Sequence, residues 1–196
     1  MIKLIPLLAL SMLVATPAGY KEVKKASGCV LMNGTSAESD GVIPMRAECH
    51  WPDVTPETFH KALADWGGHD KYWSGVVEST VKRSSGGKTL VYQIHRNKGT
   101  NDREILLWMS KKNTDGGGIK YSWGEAKGEA LEIKKGNVQA ARSDGSWEGK
   151  PHPDGGVQVT YQLAYDPGGK VPDFMVRWFQ IGGLTNIVTE LHEYLN

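Results

Sequence analysis

The sequence predicts an α+β domain in which a curved antiparallel β-sheet wraps around a long C-terminal α-helix, with two short helices after an early strand. Three observations carry this. Hydrophobicity alternates with a period of two from residue 76 to 165, broken by Gly-rich turns. A capped helix entry stands at Thr55 and Pro56, ahead of that run. After Pro172, apolar residues recur at helical spacing to the end of the 196 residues.

The N-terminus reads as a secretory leader. Lys3 supplies a positive charge, 4–15 is an apolar run, and Thr16, Pro17 and Ala18 end it in small residues, placing cleavage after Ala18. The run is too short for a bilayer span, which needs ~20 residues. The expected division is a signal peptide over 1–18 and one ligand-binding domain over 19–196, exported to the periplasm or secreted. The chain has two cysteines, Cys29 and Cys49. Export would place them in an oxidising compartment, and they fall on segments expected to be neighbouring strands, 29–32 and 42–51. A Cys29–Cys49 disulfide is therefore expected, two buried thiols being the alternative.

The first helix starts at the Thr55 N-cap, with Pro56 at its first position and Glu57 in its first turn; Phe59, Ala62, Leu63 and Trp66 make its buried face. Gly67 and Gly68 end it, and a short helix or turn follows over 69–73. Strands are then expected over 76–83, 89–95, 104–111, 119–124, 138–141, 147–150 and 157–165. Their Gly clusters lack the spacing of a phosphate-binding loop leading into a helix, and read as hairpin turns. On the terminal helix Phe174, Trp178, Ile181, Val188, Leu191 and Leu195 form one stripe. Gly182 and Gly183 interrupt it at a cost of about 1 kcal/mol each relative to Ala, which suits a kink or close approach of something to the backbone.

Lys and Arg total 23 against 22 Asp and Glu, a net charge of +1. No basic field points to nucleic acid. No nucleophile elbow or metal-ligand spacing is present, so no catalytic residue, metal or cofactor is expected.

Several local motifs, in order, resemble a START-type lipid-transfer domain, within the helix-grip group that also holds polyketide cyclases and the birch-pollen allergen fold. They are Thr55 to Phe59, Lys71 to Trp73, Asn101 to Glu104, Gly145 to Trp147 with Pro151, Asp154 to Gly156, Val159 to Tyr161, Asp166 to Gly169, and Val171 with Pro172. The resemblance covers roughly 41–195. It departs at Gln139, where bacterial relatives often carry Arg, and at Arg177, where they often carry Asn.

The resemblance implies a hydrophobic ligand, such as a lipid, held between sheet and terminal helix by a monomer that touches membranes transiently. Candidate pocket residues are Tyr92, His95, Arg103, Glu104, Trp108, Trp123, Tyr165, Phe174 and Trp178. Arg103 and Glu104 are read either as a polar handle for the ligand or as an ion pair at a strand edge. The Gly-punctuated, Lys-rich segment 124–137 is read as a lid, with Leu131 and Ile133 dipping into a membrane surface, or as a plain loop. The alternatives to a carrier are a cyclase-like enzyme and a non-catalytic envelope interaction protein.

Overall fold

The computed structural model describes residues 16–96, 99–169 and 173–196, with side chains described from 182 onward in the last segment. Of the expected leader, residues 1–15 lie outside the described residues.

The described strands are β1 (Tyr20–Ala26), β2 (Cys29–Gly34), β3 (Met45–Trp51), β4 (Val76–Ser85), β5 (Lys88–His95), β6 (Arg103–Thr114), β7 (Gly118–Glu125), β8 (Val138–Gln139), β9 (Arg142–Pro151) and β10 (Val157–Asp166). They form one sheet in the order β1-β2-β3-β10-β9-β7-β6-β5-β4, with β8 beside β6. The β8–β6 pairing is parallel and the others are antiparallel. Two helices, α1 (Pro56–Ala64) and α2 (Asp173–Leu195), and two short 3-10 turns complete the described elements. The fold is thus α+β, an antiparallel sheet with a long C-terminal helix. None of the described helices is long and apolar enough to cross a membrane.

β3 starts at Met45 rather than 42 and β8 ends at Gln139 rather than 141, and two further strands differ from the sequence expectation for physical reasons. β1 was not anticipated because its sequence, YKEVKKA, is mostly charged. It is an edge strand whose lysines face outward, a common guard against edge-to-edge association, while Val23 and Ala26 pack on the core. β9 begins at Arg142 rather than 147, because Ser143 and Asp144 pair with β10, and Gly145 with both β7 and β10, without an apolar pattern.

Thr55 caps α1 by accepting a hydrogen bond from the Thr58 backbone, and Phe59, Ala62 and Leu63 are buried. Gly149 seats the helix: a Cβ there would lie 2.3 Å from the Phe59 ring. The register sets Cys29 directly opposite Cys49, and the two are joined in a disulfide.

The C-terminal half of α2 buries Leu184, Val188 and Leu191 in a core shared with Leu31, Ala47 and Trp51. Several bonds hold this half in place. Thr189 hydrogen-bonds Ser27 at 2.8 Å, and the Trp73 indole donates to the Ile187 carbonyl at 3.0 Å. Ser74 donates to the Glu190 carboxylate through both its backbone N–H and its hydroxyl. His192 meets Asp53 at 3.0 Å and stacks on Trp51.

Candidate functional site

Alternation along β5 and β6 divides their residues between two faces. On one face Val91, Ile105, Leu107 and Met109 pack together. On the other, Leu90, Tyr92, Ile94 and Leu106 form a separate cluster with Ala126, Trp108 and Leu131. A cavity of about 620 Å³ lies on the first face, beneath α2.

Its walls are mainly aromatic and aliphatic. Leu107 and Met109 come from β6, Tyr121 and Trp123 from β7, Trp147 from β9, and Tyr161, Leu163 and Tyr165 from β10. Leu63, Trp66 and Trp73 close it from the α1 side, and Gly182, Gly183, Leu184 and Ile187 from α2. Exposed liners, among them Ser74, Gly75, Arg96 and Asn186, form its rim. A Cβ added at Gly182 or Gly183 would meet nothing within 4 Å among the described residues, so the double glycine relieves no packing clash there. Gly145 has the opposite role. A Cβ there would lie 2.3 Å from the Trp123 ring, so glycine lets that indole lie against the sheet, donating to Ser143 Oγ at 3.2 Å.

One wall carries a chain of uncharged polar groups. Ser79 Oγ donates to the Trp66 carbonyl at 2.7 Å and accepts from Gln93 Nε2 at 3.0 Å. Gln93 Nε2 also reaches His69 Nδ1 at 3.1 Å, while Gln93 Oε1 meets His95 Nε2 at 3.0 Å. His95 Nδ1 stands 3.4 Å from the Tyr165 hydroxyl. Burial lowers the pKa of both His69 and His95 to about 4, so both rings are neutral near neutral pH. Burial likewise raises the Tyr161 and Tyr165 hydroxyls well above the ordinary phenol range.

Of the candidate pocket residues, His95, Trp123 and Tyr165 line this cavity. Tyr92, Glu104 and Trp108 do not: strand alternation puts them on the opposite face. There Glu104 accepts from Tyr92 Oη at 2.6 Å, Asn137 Nδ2 at 2.6 Å and the Lys134 backbone at 2.9 Å. Arg103 shares strand parity with Ile105 and Leu107 but does not line the cavity. It is bonded to the Pro167 carbonyl at 3.2 Å, the Thr100 hydroxyl at 2.7 Å and the Asn101 carbonyl. Arg103 and Glu104 are therefore not an ion pair with one another, since adjacent strand residues point to opposite faces. The side chains of Phe174 and Trp178 lie outside the described residues.

The segment expected to be a lid is a strap on the far face. Leu131 packs against the Leu90 and Tyr92 cluster, Ile133 is half-buried, and neither lines the cavity. Of its lysines, Lys134 pairs with Glu78, its Nζ 2.8 Å from the carboxylate. Sequence reasoning missed Gln93, His69 and Met109. For Gln93 and Met109 the usable signal was strand parity, since Gln93 and His95 share a face, as do Leu107 and Met109; His69, on a 3-10 turn, carried no such signal.

No protein-family model matches the chain. An uncharacterized protein of Pseudomonas aeruginosa is 26% identical over 90 residues, 45% of this chain and 44% of that protein, so the match spans less than half of either. Solved structures match over far more of the chain. A STAR-related lipid transfer protein fragment from Xanthomonas axonopodis superposes with a TM-score of 0.76 at 21% identity, covering 90% of this chain and 98% of that one. Human StAR-related lipid transfer protein 5 superposes at 0.82 and 17% identity, covering 92% of this chain and 88% of that one. The Zhui aromatase/cyclase from Streptomyces superposes at 0.52 and 10% identity, covering 79% of this chain and 92% of that one. The chain has the helix-grip fold of the StAR-related lipid transfer domains.

Proposed function

We propose that this protein is an exported carrier that binds a hydrophobic molecule, a lipid, in the cavity beneath α2 and moves it between membranes. The cavity carries the reading. Its volume of about 620 Å³ falls within the ~300–1,000 Å³ typical of small-molecule pockets, with an apolar lining and few convergent polar groups. Each methylene transferred into such a space contributes about 0.8 kcal/mol, so a chain of ~12 methylenes gains on the order of 10 kcal/mol before ordering costs. Binding of that kind needs no catalytic group. The likeness to lipid-transfer structures supports the reading at the level of fold. Export is supported by the leader-like N-terminus and by the Cys29–Cys49 bond, which suits an oxidising compartment. The carrier is proposed to act as a monomer and to touch membranes transiently, with its rim toward the surface.

Native mass spectrometry of the purified protein, before and after organic extraction, tests this. The expected result is a bound mass removed by extraction, together with binding of the neutral dye Nile red that the extracted lipid displaces. A protein that carries no adduct and binds no Nile red would sink the carrier.

A cyclase-like enzyme is the second reading, favoured by the placement of His95 beside Tyr165 inside the cavity. Turnover of an aromatic polyketide mimic, lost in His95→Ala, would establish it.

A further inference from the structure

We infer that the cavity selects an apolar molecule bearing an alcohol, whose hydroxyl bridges His95 Nδ1 and the Tyr165 hydroxyl; this rests on the hydrophobic-ligand reading above. The argument begins away from the cavity, at Ser79. Its single proton is committed to the Trp66 carbonyl, so Ser79 Oγ can only accept from Gln93. That fixes the orientation of the Gln93 amide. Its Nε2 donates to Ser79 and to His69 Nδ1, which leaves Oε1 as the atom facing His95 Nε2. An amide oxygen is only an acceptor, so His95 must carry its proton on Nε2. His95 Nδ1 is then a bare lone pair facing the cavity.

What faces that lone pair is the Tyr165 hydroxyl, 3.4 Å away, too long for a good O–H···N bond. Both side chains line the cavity and are only half-buried, so each keeps an open side toward it. A ligand hydroxyl between them would donate its proton to Nδ1 and accept the proton of Tyr165. Both groups would then be satisfied, and so would the ligand.

Other head groups fit worse. An ether or ketone accepts from Tyr165 but presents a second lone pair to Nδ1. A carboxylate does the same and adds the cost of burying a charge. The cations nearest this end have partners already among the described residues: Arg96 is paired with Asp102 at 3.0 Å, and Arg103 is bonded to Pro167, Thr100 and Asn101. The end of the cavity is polar without an available charge.

The test compares dodecanol, its methyl ether and dodecanoate as competitors for Nile red on the full chain at neutral pH. Dodecanol should displace the dye at about tenfold lower concentration than either of the others, the effect of one unsatisfied buried acceptor. In His95→Phe the alcohol and ether should come within about twofold of each other while the dye still binds, whereas Tyr165→Phe should weaken both and keep the preference, because Nδ1 still accepts from the alcohol alone. Nitrogen NMR of His95 should show Nδ1 unprotonated and its resonance moving on addition of dodecanol but not of the ether. Equal displacement by alcohol, ether and carboxylate, or a proton on Nδ1, overturns the alcohol selection while leaving a hydrophobic site. Failure of Nile red and all three competitors to bind overturns the selection together with the site beneath it.

Discussion

Glu104 is wholly buried, yet it is held ionised by the groups around it. Burial alone would raise its pKa; hydrogen bonds from Tyr92, Asn137 and the Lys134 backbone outweigh that and bring it below the ordinary carboxylate value. A depressed carboxylate pKa contributes stability above the unfolded-state value, and this is lost as pH falls through the folded-state value. Glu104→Ala leaves those donors without an acceptor and should destabilise the fold by about 3 kcal/mol in urea denaturation. His69 and His95 act in the same direction over a higher range. Their pKa values fall from 6.5 unfolded to about 4 folded, so unfolded chains bind more protons between those values. Stability should therefore drop as pH is lowered from 6.5 toward 4, and the slope should shrink in His69→Gln, as read by thermal unfolding across that range. The roles of these residues were only partly legible in the sequence. Its charge pattern offered Glu104 as a ligand handle, and nothing local revealed that a loop three decades of residues later would supply its partners.

At the scale of elements, α2 and the strap over β5 and β6 each invite a decisive substitution. Gly182→Ala and Gly183→Ala should each stabilise the ligand-free protein by up to about 1 kcal/mol, since the added methyl meets open space and improves helix propensity. Gly183→Leu should instead narrow the cavity and weaken Nile red binding, without unfolding the protein. Leu131 seals the far face with Leu90 and Tyr92. Leu131→Asp should cost about 2 kcal/mol, read from the urea midpoint, while leaving the rate of dye release unchanged. A true lid would show the reverse. The sequence expectation failed at this strap because β5 and β6 are apolar on both faces. Alternation tells that Tyr92 and Gln93 point oppositely, but not which of them meets the helix. It succeeded where one face is polar, as in β10, whose Val157, Val159 and Tyr161 are buried.

Across the whole molecule, the Cys29–Cys49 bond joins β2 to β3 over a sequence separation of 20. Loops of that size correspond to about 3 kcal/mol in the chain-entropy picture. Thermal unfolding with and without reductant should show a loss of that order, and unchanged stability would mean that the bond constrains little. The global plan was legible because capping residues, turn glycines and a period-two run all pointed the same way. β1 was hidden by its lysines, and the cavity's polar wall by the fact that it is assembled from Ser79, Gln93, His69 and Tyr165, which adjoin only after the sheet curves.

The attachments at Ser27, Asp53, Trp73 and Ser74 make residues 184–195 a fixed post rather than a swinging arm. Traffic in and out of the hollow should then run past Gly75 and Arg96, and amides along that post should exchange with deuterium as slowly as those of the central strands. Cargo would come and go with the post still standing.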